Sequence, residues 1–129
     1  MKTDEMVFVF GSNLAGVHGA GAALHAKRKL GAIWGKGIGP MGQSYALPTK
    51  DKNIETLDME TINTHVDNFL VYAHSHPEMQ FQVTCIGCGL AGLEHKDIAP
   101  MFSQAPDNCH FDTLWKPWLG EGVSYWGTF

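Results

Sequence analysis

Twice in this sequence a short, wholly or mostly apolar run empties into a turn too rich in glycine to continue as helix or strand. Val7-Phe8-Val9-Phe10 leads into Gly11-Ser12-Asn13 and then into His18-Gly19-Ala20-Gly21-Ala22-Ala23. Val83-Thr84-Cys85-Ile86 leads into Gly87-Cys88-Gly89-Leu90-Ala91-Gly92. A continuous apolar run suits a strand covered on both faces, as in a parallel sheet. Glycine after such a strand lets the backbone turn sharply and lets a ligand approach the main chain. Two such turns leaving neighbouring strands would form a floor of bare amides, which suits a phosphate.

Reading outward from these turns gives an α/β chain. Strand one is Val7 to Phe10, and an alanine-rich helix follows from about Gly21 to Leu30 with Gly31 as its stop. Gly35 to Gly42 reads as a glycine-rich loop. Strand two covers Ser44 to Leu47 and closes at Pro48. The clearest helix runs from about Met59 to Ser75, because Ile62, Val66, Phe69, Leu70 and Ala73 share one face at helical spacing. Asp58 is placed to cap that helix, and Pro77 lies just past its end. Strand three is Phe81 to Ile86, a short helix covers Asp97 to Phe102, and Cys109 to Phe111 makes a last short strand. Residues 114–129 carry Trp115, Trp118, Tyr125, Trp126 and Phe129. That is much aromatic surface for a loose end, so the tail is expected to pack on the domain or on a partner, a homodimer included. Strands alternating with helices imply one three-layer α/β domain over residues 1–129, with a mainly parallel mixed sheet flanked by helices. Ligands in that architecture bind beyond the carboxyl ends of the strands.

Composition narrows the function classes. At 129 residues and 44% hydrophobic, the chain fits one domain with a buried core and is not a disordered polymer. Nine basic residues stand against thirteen acidic ones, and Arg28 is the only arginine. A grip on long nucleic acid, which needs many phosphates neutralised, is therefore not expected. The run Lys27-Arg28-Lys29 reads as a solvated helix face. A small phosphorylated ligand stays compatible, because backbone amides can hold it. Three cysteines, an odd and low number, do not make a disulfide scaffold. Met1-Lys2-Thr3-Asp4-Glu5 leads to only a few apolar residues, so a leader is not expected, and no apolar stretch approaches the roughly 20 residues that span a bilayer. The expected location is a reducing cytoplasm, without a membrane partner.

Each motif has a sharp and a plain reading. Gly37, Gly39 and Gly42 match the dinucleotide spacing G-x-G-x-x-G, but a strand follows them where a helix is required. Gly87, Gly89 and Gly92 match it after a strand, yet too little chain remains to build a two-halved Rossmann domain. Gly19-Ala20-Gly21 opens a helix with small side chains, so first-turn amides and the helix dipole favour an anion there. Cys85-x-x-Cys88 would need two further ligands to hold zinc, with Cys109-His110 the only tempting pair, and no metal or cofactor is expected. His18 and His95 each lie in or just after a glycine turn, where either can touch phosphate, move protons or simply support structure. Asn13 can bind a ribose hydroxyl or cap a turn, and Lys50 and Asp51 follow strand two at the same end of the sheet.

In this order the motifs resemble the macrodomain superfamily, whose members bind ADP-ribose and related nucleotides. Gly87-Cys88-Gly89-Leu90-Ala91-Gly92 is similar to the family loop around the distal ribose and diphosphate. Asn13 resembles the asparagine that ends an early strand, and His18-Gly19-Ala20-Gly21-Ala22-Ala23 resembles the glycine-rich turn before a helix. Residues 7 to 111 also look like a compact, phage-associated group of proteins. These share Phe-Gly-Ser-Asn-Leu-Ala-Gly, Ser-Tyr-Ala-Leu-Pro-Thr-Lys-Asp and Ile-Gly-Cys-Gly-Leu-Ala-Gly in this order. The similarity is closest to the branch that removes ADP-ribose from glutamate side chains. That resemblance implies Lys50 as a nucleophile on the distal ribose. The branch's aspartate in the second glycine loop is Ala91 here, and its acidic adenine contact has no match, since Asp4 and Glu5 precede the first strand.

Two functions follow as expectations. The first is binding of ADP-ribose or a related nucleotide through Gly11, Ser12, Asn13, Gly19, Ala20 and Gly21 on one side and Gly87 to Gly92 on the other. Trp34 is the candidate cover for the base. The second is a hydrolase that removes ADP-ribose or a terminal phosphate. There Lys50 is nucleophile or stabiliser, His18 or His95 moves protons, and Asp51, Glu94 or Asp97 orients them. The resemblance sets either activity in a bacterial or phage-infected cytoplasm.

Overall fold

Alternation along one strand sets the architecture. The computed structural model describes residues 5–129, so Asp4 lies outside the described residues. In β1 (Val7–Asn13), Val7 and Val9 turn to one face of the sheet while Phe8 and Phe10 turn to the other. A strand apolar on both faces has to be covered twice. On one face α1 (Gly21–Lys29) adds Ala26 to a cluster with Phe8, Phe10, Ala32, Met41 and Ala46. On the opposite face α2 (Met59–Ser75) buries Ile62, Val66, Phe69, Leu70 and Ala73 among Val9, Leu47, Phe81, Val83 and Phe111. The result is the expected three-layer α/β domain. The Asp58 side chain caps α2 by accepting from Thr61 N at 2.8 Å.

Six strands build the sheet in the order β2 (Gly39–Met41), β3 (Ser44–Lys50), β1, β4 (Phe81–Val83), β5 (Cys109–Asp112) and β6 (Ser124–Gly127). Only β2 is antiparallel to its neighbour; every other pairing is parallel. Several bounds differ from the sequence expectation. The Gly35–Gly42 loop contains β2, which carries no apolar pattern and exists because β3 offers it an edge. Pro48 continues β3 instead of closing it: β2 pairs no further than Ala46, so the strand is bare on that side and a missing N–H is tolerated. Strand three ends early, at Val83, because Thr84 turns its N–H and hydroxyl together onto the Val9 carbonyl.

The Asp97–Phe102 helix is in fact two pieces, α3 (His95–Ile98) and a 3-10 turn over Ala99–Phe102 with Pro100 in its opening positions. The aromatic tail packs on the domain itself. After the short α4 (Lys116–Leu119) it forms β6 along the free edge of β5, and Trp126 Nε1 donates to the Val83 carbonyl at 2.9 Å. No helix among the described residues is long and apolar enough to cross a membrane.

Candidate functional site

The strand order marks where a site belongs. From β1 the chain moves through α1 to β3 on one side, then through α2 to β4 on the other. The two connections leave the carboxyl ends of the adjacent strands β1 and β3 toward opposite faces, and in open α/β sheets such a divergence leaves a crevice. A cleft of about 590 Å3 opens there, within the range of small-molecule sites. The ends of all five parallel strands reach it: Asn13 from β1, Lys50 from β3, the turn after β4, Asp112 from β5 and Phe129 just past β6.

The two glycine turns meet in this cleft. Gly11 does not open a turn, since β1 runs on through it to Asn13, but it brings β1 so close to the second turn that a Cβ on Gly11 would lie 3.1 Å from Gly87 N. Farther out, Leu90 reaches over to the start of α1, its Cδ1 standing 3.8 Å from where a Cβ on Gly21 would be. Gly11, Ser12, Asn13, Gly19, Ala20, Gly21, Gly87, Cys88, Gly89, Leu90 and Ala91 all line the cleft. Gly92 does not: it closes the turn, with φ +74° and its N–H on the Gly89 carbonyl. The opening of α1 is bare. Its N-cap is Ala20, in extended conformation and without a side chain able to cap, and no acidic residue follows in the first turn. The first-turn amides of Gly21, Ala22 and Ala23 thus keep the unsatisfied donors of a helix start at the cleft wall.

The candidate reactive side chains scatter. Lys50 lines the cleft, level with Asn13 in the parallel register. Asn13 closes its amide on Val17, with Nδ2 donating to the Val17 carbonyl and Oδ1 accepting from Val17 N, both at 2.9 Å. It therefore builds the rim of the first turn. His18 is fully buried, edge-on to Phe10, and stands apart from the cleft wall. Its Nε2 faces the carbonyls of Ile33 and Lys36, each at 3.0 Å, so that nitrogen carries the proton and donates. Asp51 turns into its own loop and accepts from Asn53 N and Glu55 N. Glu94 pairs with Lys96 at 3.2 Å on the surface. Neither carboxylate is on the cleft wall, and Asp97 is not either. Trp34, the candidate base cover, lies outside the cleft beneath the Lys27 ammonium.

Other groups occupy the wall. His95 lines it with Nδ1 accepting from Trp115 Nε1 at 3.0 Å, which leaves the proton of the neutral ring on Nε2. Its ring stacks on Trp118. Asp112 is the one Asp or Glu side chain on the wall among the described residues, and both its oxygens are engaged: Oδ1 accepts from Leu114 N, Oδ2 from Thr128 Oγ1 and Phe129 N. Phe129 is thereby held over the cleft, edge-on to Phe8. Asp112, Leu114 and Phe129 were not singled out in the sequence: Asp112 lies one residue past the expected Cys109–Phe111 strand, and Phe129 reaches the cleft only because β6 pairs with β5. The one available sign was Asp112 directly after that short strand, in the position that caps the next turn.

Cys85 and Cys88 also line the cleft, but as thiols. Burial, reinforced by the neighbouring Asp112 carboxylate, pushes Cys85 up to about 12, and burial with Asp97 nearby pushes Cys88 up to about 11. A thiol held protonated is a poor nucleophile and a poor metal ligand. No group of three or more His, Cys, Asp or Glu side chains among the described residues is placed to hold a metal ion. The site therefore offers backbone donors, one amine, one imidazole and an apolar rim. No family model, curated protein or solved structure matches this chain.

Proposed function

We propose that the cleft binds ADP-ribose or a related nucleotide, with the diphosphate on the two glycine turns. The observation that carries this reading is their convergence: the uncapped start of α1 and the Gly87–Ala91 turn face one cleft at the carboxyl ends of adjacent parallel strands. Backbone amides at a helix start and in a glycine turn are built for an anion. Phe129, Leu114 and Leu90 supply apolar surface on the same wall for a base or sugar. The order of motifs, similar to that of macrodomains, points to the same ligand class.

Binding is favoured over turnover by the carboxylates. Hydrolysis by way of Lys50 calls for an acid or base partner beside the amine. Asp51 and Glu94 are tied up off the wall, and the oxygens of Asp112 already accept three hydrogen bonds. Lys50 then serves as a fixed positive charge toward the ligand. Titration calorimetry with ADP-ribose, followed by chromatography of the incubated ligand, tests both points. Measurable heat with the ligand recovered intact is the expected result. New products that disappear in Lys50→Ala would establish the hydrolase instead. Absence of heat with ADP-ribose, ADP and AMP alike would overturn the nucleotide reading.

A further inference from the structure

Residues 33–38, between α1 and β2, form a turn that buried groups anchor from beneath while its large side chains stay in solvent. Ser12 Oγ donates to the Gly37 carbonyl, His18 Nε2 donates to Ile33 and Lys36, and Gly35 N donates to Gly16 at 2.9 Å. Gly37 sits so tightly on the first glycine turn that a Cβ there would fall 1.8 Å from the Asn13 carbonyl oxygen. Yet Ile33, Trp34 and Ile38 are 55%, 56% and 48% exposed. A mobile loop would let such side chains fold down onto apolar surface. A fixed turn that holds a tryptophan outward has the form of an anchor for a partner.

Charge indicates what docks. Between Met6 and Lys50 there is no Asp or Glu, while five of the nine basic residues lie there: Lys27, Arg28, Lys29, Lys36 and Lys50. All thirteen acidic residues fall in the rest of the chain, with only four basic ones. Lys27, Arg28 and Lys29 make the last turn of α1, and Lys27 Nζ lies 5.6 Å from the centre of the Trp34 ring. Lys36 is in the turn itself. A small apolar centre with a cationic rim matches a partner that carries carboxylates among apolar side chains. A nucleic acid strand fits less well. Two of the three apolar groups are aliphatic and offer no stacking face, and beyond this corner the molecule is acidic and repels phosphates.

We propose that the corner formed by the end of α1 and the 33–38 turn is a docking surface for an acidic polypeptide segment with aromatic or aliphatic residues between its carboxylates. The surface adjoins the rim of the cleft through Ser12 and Asn13 but does not depend on what the cleft binds.

The test is panning of a random twelve-residue peptide display library on the wild-type protein, with counter-selection on a Lys27→Glu/Arg28→Glu/Trp34→Ala variant. Selected peptides are expected to hold at least twice the library's share of Asp and Glu, plus an aromatic or aliphatic residue. A synthetic copy of the commonest one is expected to bind wild type at least tenfold more tightly than the variant, and less tightly as salt rises. All three substituted residues are exposed; should the triple variant melt earlier than wild type, Trp34→Ala alone carries the comparison. Peptides without acidic enrichment, or with equal affinity for the variant, would overturn the proposal. So would a twelve-nucleotide oligo-dT that binds more tightly than any peptide and is lost in the variant, or self-association in sedimentation that the variant abolishes.

Discussion

Gly87 and Gly89 stand two residues apart in one turn and are needed for different reasons. Gly87 has φ +76°, and a Cβ there would meet Leu93 Cδ1 at 2.7 Å and Thr49 Cγ2 at 3.3 Å. Gly89 has ordinary φ and open space around it. Gly87→Ala is therefore expected to lower the unfolding free energy by about 1–2 kcal/mol, the left-handed penalty alone being of that size. Gly89→Ala is expected to stay within about 0.5 kcal/mol of wild type, as surface changes do. If the turn receives a diphosphate, Gly89→Ala nevertheless weakens ADP-ribose binding by about tenfold, since one methyl on a close-approach surface readily removes about 1.4 kcal/mol. Urea denaturation and calorimetry on both variants separate folding from binding.

The cysteines permit a prediction whose sign is fixed by burial. Cys109 is pushed up to about 12, as Cys85 is, and Cys88 to about 11, from an ordinary value of 9.0. In the folded state these thiols hold their protons where the unfolded chain has released them. Their contribution to stability is complete below pH 9 and declines as pH rises through 11 to 12. The urea midpoint is expected to fall steadily above pH 9, and a Cys85→Ala/Cys88→Ala/Cys109→Ala variant is expected to flatten that decline. Tyr45, raised mainly by burial, adds a loss of the same sign. A midpoint that does not move between pH 8 and pH 10.5 would show that these thiols are solvated.

Among the elements, the two long helices begin in opposite ways. Asp58 caps α2, and Asp58→Ala is expected to cost about 1 kcal/mol. α1 begins at Ala20, whose extended backbone already suits a capping residue. Ala20→Asp should stabilise the protein by about 0.5–1 kcal/mol through a new cap and a favourable dipole interaction. The same change would set a carboxylate on the amides proposed to receive phosphate. Higher stability with lost ADP-ribose binding is the expected pair of results; higher stability with binding intact would remove the helix start from the site.

Legibility in the sequence followed the same division. α2 was readable in full, because Ile62, Val66, Phe69 and Ala73 repeat at helical spacing and both ends carry stop signals. β1 and β4 were readable as apolar runs, and the first and second glycine turns could be placed at their ends. β2 and β6 were not, because Gly39-Pro40-Met41 and Ser124-Tyr125-Trp126-Gly127 are strands only through the neighbour each lies against. The cleft was thus half legible. Its glycine walls were visible and β5 was expected over Cys109–Phe111, whereas the engagement of Asp112 and the place of Phe129 required β6, and the burial of His18 required knowing where residues 33–36 would fold.

For the molecule as a whole, charge and topology coincide. The acid-free stretch from Met6 to Lys50 supplies β1, α1, β2 and β3, so this side of the sheet carries five basic residues and no carboxylate and brings Lys50 to the cleft wall, while eight of the thirteen acids lie on the α2 to β6 side. An anion entering the cleft meets Lys50 and the bare start of α1 on the cationic side, with only the fully engaged Asp112 opposite. A field of this kind is screened by salt. Raising NaCl from 0.05 to 0.5 M shortens the screening length from about 14 Å to about 4 Å. The ADP-ribose dissociation constant is then expected to rise by roughly three- to tenfold, because distant cations drop out while contacts within one screening length persist. Adenosine, which lacks the phosphates, is expected to change little, and Lys50→Ala should reduce the salt response of ADP-ribose without abolishing binding. An ADP-ribose affinity indifferent to salt would confine the attraction to the short-range amides of the two glycine turns. Equal responses from ADP-ribose and adenosine would mean that the diphosphate is not what the cationic wall receives.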